Sequence, residues 1–189
     1  MKMTRKKKRG FGISLLIVVL IFISNFFISY TVDVKQELTI NATIDSTWKV
    51  MGTEFSDVDL WCSNFIKSEA GGRKKFNAID YSTRVTVTVK GENTQELDEF
   101  DPANHVLTYH ITKGKPGIAK EASAVWSLVD LGLNKTKVIL EFKFVGKGWI
   151  GLLMSGKVRS GINGTSAEIV EELKYYMETG QPHPNNSNK

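Results

Sequence analysis

A single cysteine among 189 residues means that no disulfide can close within the chain. Cys62, next to Trp61, reads as a small buried residue, since no histidine is spaced to make it a nucleophile. The three histidines, at 105, 110 and 183, are too scattered for the ligand spacing of a zinc site. No glycine-rich loop follows a strand in a phosphate-cradling frame, and Gly71-Gly72-Arg73 lacks the required flanks. No metal and no cofactor are therefore expected. Acidic side chains are missing from the first thirty positions, which hold six bases (Lys2, Arg5, Lys6, Lys7, Lys8, Arg9). The remainder carries 19 Lys and Arg against 20 Asp and Glu, so the formal +5 belongs to the N-terminus. A near-neutral body lacks the broad basic footprint of a nucleic-acid binder, and no nucleic-acid partner is expected.

Residues 11–30 contain no charge at all. A helix of that length spans about 30 Å, the thickness of a bilayer core. Only Ser14, Ser24, Asn25 and Ser29 interrupt it, whereas a buried core helix would show a polar face. A cleaved signal peptide is the competing reading. Its apolar region usually covers about 7–15 residues and ends on a small-x-small site. Here Phe22 and Phe27 occupy the positions where the second small residue belongs. Residues 1–10 thus read as a basic cytoplasmic segment and residues 11–30 as a transmembrane anchor. The positive-inside bias leaves the following domain outside the cytoplasm. The alternative is secretion after cleavage.

Residues 37–61, ELTINATIDSTWKVMGTEFSDVDLW, pass from strand to helix spacing within a few positions. Leu38 and Ile40 alternate with Thr39 and Asn41. Asp45 offers an N-cap carboxylate ahead of Trp48, Val50 and Met51, and a second helical turn spans 57–61. Further period-2 runs follow around Val85–Val87–Val89, Leu107–Tyr109–Ile111, Ala122–Ala124–Trp126–Leu128 and Val138–Leu140–Phe142–Phe144. Turn-forming residues separate them. Such strands fit an antiparallel sheet with one buried and one wetter face. Residues 71–81 fit either a strand with a loop or mostly loop. After Gly148 the period becomes helical, with Ile150, Leu153, Met154, Val158, Ile162, Ile169, Leu173 and Tyr176 on one stripe. That stripe is expected to pack on the concave sheet face. Gly156, Gly161 and Gly164 each cost about 1 kcal/mol relative to Ala in a helix, so a bend or break is expected among them. Their lack of side chains also leaves volume beneath the sheet. Residues 181–189 read as a disordered tail.

Several of these segments together resemble the START-like superfamily, also called SRPBCC, in its polyketide cyclase/dehydrase-like group. INATIDSTWKVM resembles the family's first strand and helix, and DVDLW its second helix. ELDEFDPANHVLTYHIT is similar to its strand–turn–strand around an Asp-Pro. Trp126 with KVILEFKFVGKG resembles the last two strands, and AEIVEELKYYM the closing helix. The resemblance covers residues 32–180. It implies an α+β helix-grip fold: an antiparallel sheet wrapped around a long C-terminal helix, with an internal apolar cavity. The resemblance supplies no universal catalytic motif to carry over.

Chemistry must then be sought in the residues. His110 with Asp98 or Glu99 would make an acid–base pair, but His110 and Tyr109 are adjacent in a strand and point to opposite faces. Aromatic residues are the stronger signal, because apolar pockets are lined mainly by them. Trp48, Trp61, Phe65, Tyr109, Trp126, Phe142 and Phe144, with Met154 and Val158, are the expected cavity lining. Two functions follow: a membrane-tethered binding module for an apolar small molecule or lipid, or a cyclase- or hydrolase-like enzyme acting on an aromatic or polyketide-type substrate in the same cavity. The lack of a convergent polar cluster favours non-catalytic binding.

Overall fold

A computed structural model describes Ser24 and residues 27–188. The predicted anchor at 11–30 lies almost wholly outside the described residues. Among those described, no helix is long and apolar enough to cross a membrane.

Seven strands form one antiparallel sheet: β1 (Ser29–Ile40), β2 (Lys67–Gly71), β3 (Thr83–Thr88), β4 (Gly91–Asp101), β5 (Val106–Lys113), β6 (Ala119–Gly132) and β7 (Lys135–Lys147). Their spatial order is β1-β7-β6-β5-β4-β3-β2. The first helix, α1 (Ile44–Trp48), leads into a wide turn over Lys49–Thr53 and a 3-10 helix over Phe55–Leu60. After β7 come α2 (Gly148–Leu153) and the long α3 (Ser155–Thr179). This is the helix-grip arrangement that the sequence resemblance implies.

β1 begins at Ser29, so Ser29 and Tyr30, read from sequence as the end of the apolar span, are its first residues. They pair with Lys147 and Gly146 of β7. The Tyr30 ring lies over Gly146, where an added Cβ would come within 2.0 Å of it, so only glycine fits there. Thr43, not Asp45, caps α1: its hydroxyl accepts from the Ser46 N–H at 3.3 Å. A Ser or Thr hydroxyl satisfies the orphan N–H groups as well as a carboxylate does. Asp45 sits two residues after the cap, in the first turn, at the positive end of the helix dipole. Residues 72–82 are loop, and β2 supplies the outer edge strand that the pattern did not reveal. Its Lys67, Ser68 and Glu69 lack the apolar alternation that marks a strand.

The helical stretch does break, but before the glycines. Met154 ends α2 with φ −91° and ψ 0°, its N–H bonding to the carbonyls of Ile150 and Gly151. Gly156, Gly161 and Gly164 all continue within α3. Only the later part of the expected stripe packs on the sheet. Val170 and Leu173 are buried and Ile169 and Tyr176 pack on the main core, while Ile150, Leu153 and Met154 are exposed. The helix is tied across β1 along its length. Arg159 donates to the Asp33 carbonyl at 2.8 Å, and Gln36 Nε2 donates to Asn163 Oδ1 at 3.0 Å. At the far end the Asn41 side chain donates to Glu178 at 2.8 Å. The expected disordered tail carries a 3-10 turn over Pro184–Asn188, with Asn186 Nδ2 donating to the Leu60 carbonyl at 3.3 Å.

Two apolar clusters fill the concave side. The larger runs from Ile40 and Trp48 through Leu97, Leu107 and Val138 to Leu173. The smaller gathers Tyr30, Val32, Val34, Ala119, Ala122 and Phe144 near the start of β1. Phe142 packs against both. Since all neighbouring strands run antiparallel, one end of the sheet collects the start of β1, the β3–β4 and β5–β6 turns and the β7–α2 junction.

Candidate functional site

Between the sheet, α3 and the 3-10 helix lies a cavity of about 210 Å³. The sheet contributes Tyr109, Trp126, Leu140 and Phe142 from three adjacent strands, as period-2 side chains on one face must. The segment after α1 adds Met51, Phe55, Val58, Trp61 and Phe65. The roof is α3, through Gly161, Ile162, Thr165, Ser166 and Ile169. A Cβ at Gly161 would meet nothing within 4 Å, so the missing side chain there is open volume. Lys90, at the β3–β4 turn, is exposed at the rim. A second concavity of about 260 Å³ shares Phe65, Lys90 and Thr165 and continues between the β3–β4 and β5–β6 turns. The cavity therefore opens toward the end of the sheet where the chain enters β1.

Of the residues expected in the lining, Trp61, Phe65, Tyr109, Trp126 and Phe142 border this space. The other four stand elsewhere. Trp48 packs against Phe100, ring centres 5.2 Å apart, and edge-on to His105. Phe144 faces inward but too low on β7, where Tyr30 fills the space in front of it at 6.2 Å. Val158 flanks that smaller cluster. Met154, at the break between the two helices, is turned outward.

Sequence reasoning missed Arg84, and its place in the wall is the least expected feature of the site. β3 turns Arg84 and Thr86 inward and leaves Val85 and Val87 half-buried on the other face. Arg84 Nε donates to Gln95 Oε1 at 2.8 Å, and Nη1 donates to the Phe55 carbonyl at 2.6 Å. Its guanidinium carbon sits 3.6 Å from the centre of the Phe55 ring, a cation–π stack. Burial pulls its pKa down to about 10, still charged at neutral pH. An Arg within an alternating run is read as solvent-facing, so no local signal could have found it. Tyr109, between Arg84 and Trp126, has its phenol pKa raised first by burial, so it stays protonated.

Among the described residues the carboxylates and histidines lie outside the cavity lining. The bulge at Asp98 lets its carboxylate reach His110 Nδ1 at 2.8 Å, but this pair is on the outer face, opposite Tyr109. Buried Glu172 accepts the Ser63 N–H at 2.6 Å and the Ser63 hydroxyl, pinning α3 to the segment before β2. Burial pushes the Cys62 thiol up to about 12, which keeps it an unreactive core residue. Among the described residues no three His, Cys, Asp or Glu side chains gather as metal ligands.

Comparison with known proteins accords with this geometry. Residues 31–178 match the sequence model of a family described as polyketide cyclase / dehydrase and lipid transport. No curated protein matches the sequence. Among solved structures, a START superfamily protein from Mycobacterium smegmatis is 14% identical with a TM-score of 0.62, the alignment covering 77% of this chain and 96% of that one. The protein XoxI from Bacillus cereus is 14% identical, covers 77% and 95% of the two chains and has a TM-score of 0.64. Norcoclaurine synthase from Thalictrum flavum, solved with dopamine and hydroxybenzaldehyde, is 15% identical with a TM-score of 0.61, covering 83% and 94%. At these identities the likeness is one of fold.

Proposed function

The chain belongs to the polyketide cyclase / dehydrase and lipid transport family, and we propose that its domain is a non-catalytic binding module for an apolar small molecule. One observation carries this reading: among the described residues, the wall is mainly aromatic and aliphatic, its polar members are Arg84, Lys90, Thr165 and Ser166, and it holds no Asp, Glu or His. Acid–base catalysis needs a group that takes or gives a proton near neutral pH within reach of the substrate. The one carboxylate–imidazole contact shorter than 3 Å among the described residues, His110 with Asp98, is on the wrong side of the sheet. Size narrows the ligand. A dry apolar cavity of about 150 Å³ accepts benzene, so about 210 Å³ suits one substituted ring or a chain of similar bulk. A longer tail would extend into the adjoining concavity.

The proposal includes the N-terminal segment as a membrane tether. Several exposed apolar residues support it, because they lie at the end of the sheet where the chain enters and the cavity opens. These are Phe27, Val89 on the β3–β4 turn, and Ile150, Leu152 and Leu153 on α2. With no linker between position 28 and β1, the domain would sit close to the headgroups, and an apolar ligand could pass to or from the bilayer without crossing water.

Native mass spectrometry of protein purified without delipidation tests the binding reading, with a retained small apolar molecule expected. Trp61 and Trp126 in the wall supply a second readout, since ligand entry should alter their fluorescence. Absence of both a ligand and any fluorescence response to small aromatic probes would overturn the proposal. For the tether, the mature protein should keep Met1 or Lys2 and need detergent rather than salt for release, because an apolar span is held by burial. A mature N-terminus near residue 29 or 31 would refute it.

A further inference from the structure

The cavity wall holds one full positive charge that the protein does not neutralise. Arg84 is 3% exposed. Its polar partners, the Gln95 amide oxygen, the Phe55 carbonyl and the protonated Tyr109 phenol, are uncharged. The rings around it, Phe55 at 3.6 Å, Tyr109 at 5.4 Å and Phe65 at 5.5 Å, are neutral as well. Glu172, the one buried carboxylate among the described residues, is committed to Ser63. Burying a charge without a counterion is strongly unfavourable, and a single-charge arrangement of this kind has an open requirement for an anion.

A second, independent observation points the same way. Trp61 is buried in the same wall, and its indole Nε1–H has no hydrogen-bond partner. Indole nitrogen can only donate, and an unmade buried donor is costly, so it too asks for an acceptor. The exposed Lys90 ammonium at the rim adds positive potential along the approach. The wall thus offers donors and positive charge in an otherwise apolar space, and no acid to repel an anion.

Building on the binding reading above, we propose that the ligand is an apolar carboxylic acid, bound as its carboxylate. The carboxylate sits between the Arg84 guanidinium and the Trp61 indole N–H, and its ring or chain lies along Phe142, Leu140 and Ile169. Arg suits this task because its planar fork matches a carboxylate's two oxygens, and stacking on Phe55 holds the fork in place before the ligand arrives.

Isothermal titration calorimetry on the detergent-solubilised full chain tests this with 3-phenylpropanoate, its methyl ester and the neutral hydrocarbon propylbenzene. The acid is expected to bind at least tenfold tighter than the ester. Arg84→Met, which keeps length and removes charge, should abolish that preference by weakening the acid at least tenfold while leaving the ester within about twofold. Should Arg84→Met fail to fold, Trp61→Phe keeps a ring and removes the donor, and should weaken the acid several-fold and the ester little. Equal binding of acid and ester, or a preference that survives both substitutions, overturns the carboxylate assignment and leaves the apolar-binding reading intact. If none of the three probes binds, both fall together.

Discussion

β7 and β3 are written in the same period-2 grammar and are used in opposite ways. In β7 the apolar residues Val138, Leu140, Phe142 and Phe144 face the concave side, and Lys137, Glu141 and Lys143 face water. In β3 the concave side receives Arg84 and Thr86, while Val85 and Val87 lie on the outer face and Val89 beyond them is 90% exposed. Alternation establishes that a strand has two faces; it does not say which is inside when the inside contains a cavity. β7 lies beneath α3 and supplies apolar packing, with Leu140 and Phe142 extending it into the apolar part of the cavity wall. β3 lies at the margin of the cavity, where Gln95 and the Phe55 carbonyl can hold a guanidinium. The difference between the strands therefore marks where the interior stops being core and becomes a site.

Substitutions on the two strands should separate these roles. The largest effect is expected on β7. Leu140, 2% exposed, should cost about 2–5 kcal/mol when cut to Ala, read as a lower urea midpoint at unchanged slope. A loss below about 1 kcal/mol would place Leu140 beside β3 rather than in contrast to it. The next effect has the opposite sign. Thr86 Oγ1 is buried without a partner, so Thr86→Val removes an unsatisfied hydroxyl at equal volume and should raise stability by about 1 kcal/mol. Loss of stability on that change would mean that the polar face of β3 is satisfied and not merely tolerated. Val89→Ser should shift stability by no more than about 0.5 kcal/mol, as for any surface site without special contacts. A larger drop would indicate that this valine is covered in solution.

The smallest effect belongs to the seam where β1 meets the wet face of β7, between Glu37 and Lys137. Hydrogen bonds from Lys137 and then Lys35 lower the Glu37 pKa to about 2 from its ordinary 4.5. A depressed folded-state pKa contributes stability above the ordinary value, and this contribution is lost as pH falls from about 4.5 toward 2. Glu37→Gln should flatten that portion of the stability–pH curve slightly and change nothing at neutral pH beyond the small worth of an exposed ion pair. An unchanged curve in acid would show that the pair is fully screened.

The strands that read clearly are those whose apolar face is packed. Val138–Phe144 and Ala122–Leu128 could be located and faced correctly because burial demands apolar side chains at every second position. The edge strand β2 escaped notice because an edge buries little and has no such demand. Five of the nine lining candidates border the cavity, and they share a property: they lie at mid-height on the sheet or in the segment after α1. Phe144 and Val158 have the right residue type one layer too low. Residue type cannot reveal that layer, since it depends on where Tyr30 lands on Gly146.

What the sequence determined by itself is the order and type of the elements apart from β2, the apolar character of the interior and, through the resemblance of its motifs, the family. The elements follow from local periodicity, which acts over a few residues. Tertiary structure alone decided that α2 breaks from α3 at Met154, that β3 turns its polar face inward, and that Arg84 meets Phe55, Tyr109 and Trp61 around one space. Each of these depends on partners far apart in the chain, and no local pattern can encode which distant side chain will be waiting across a cavity.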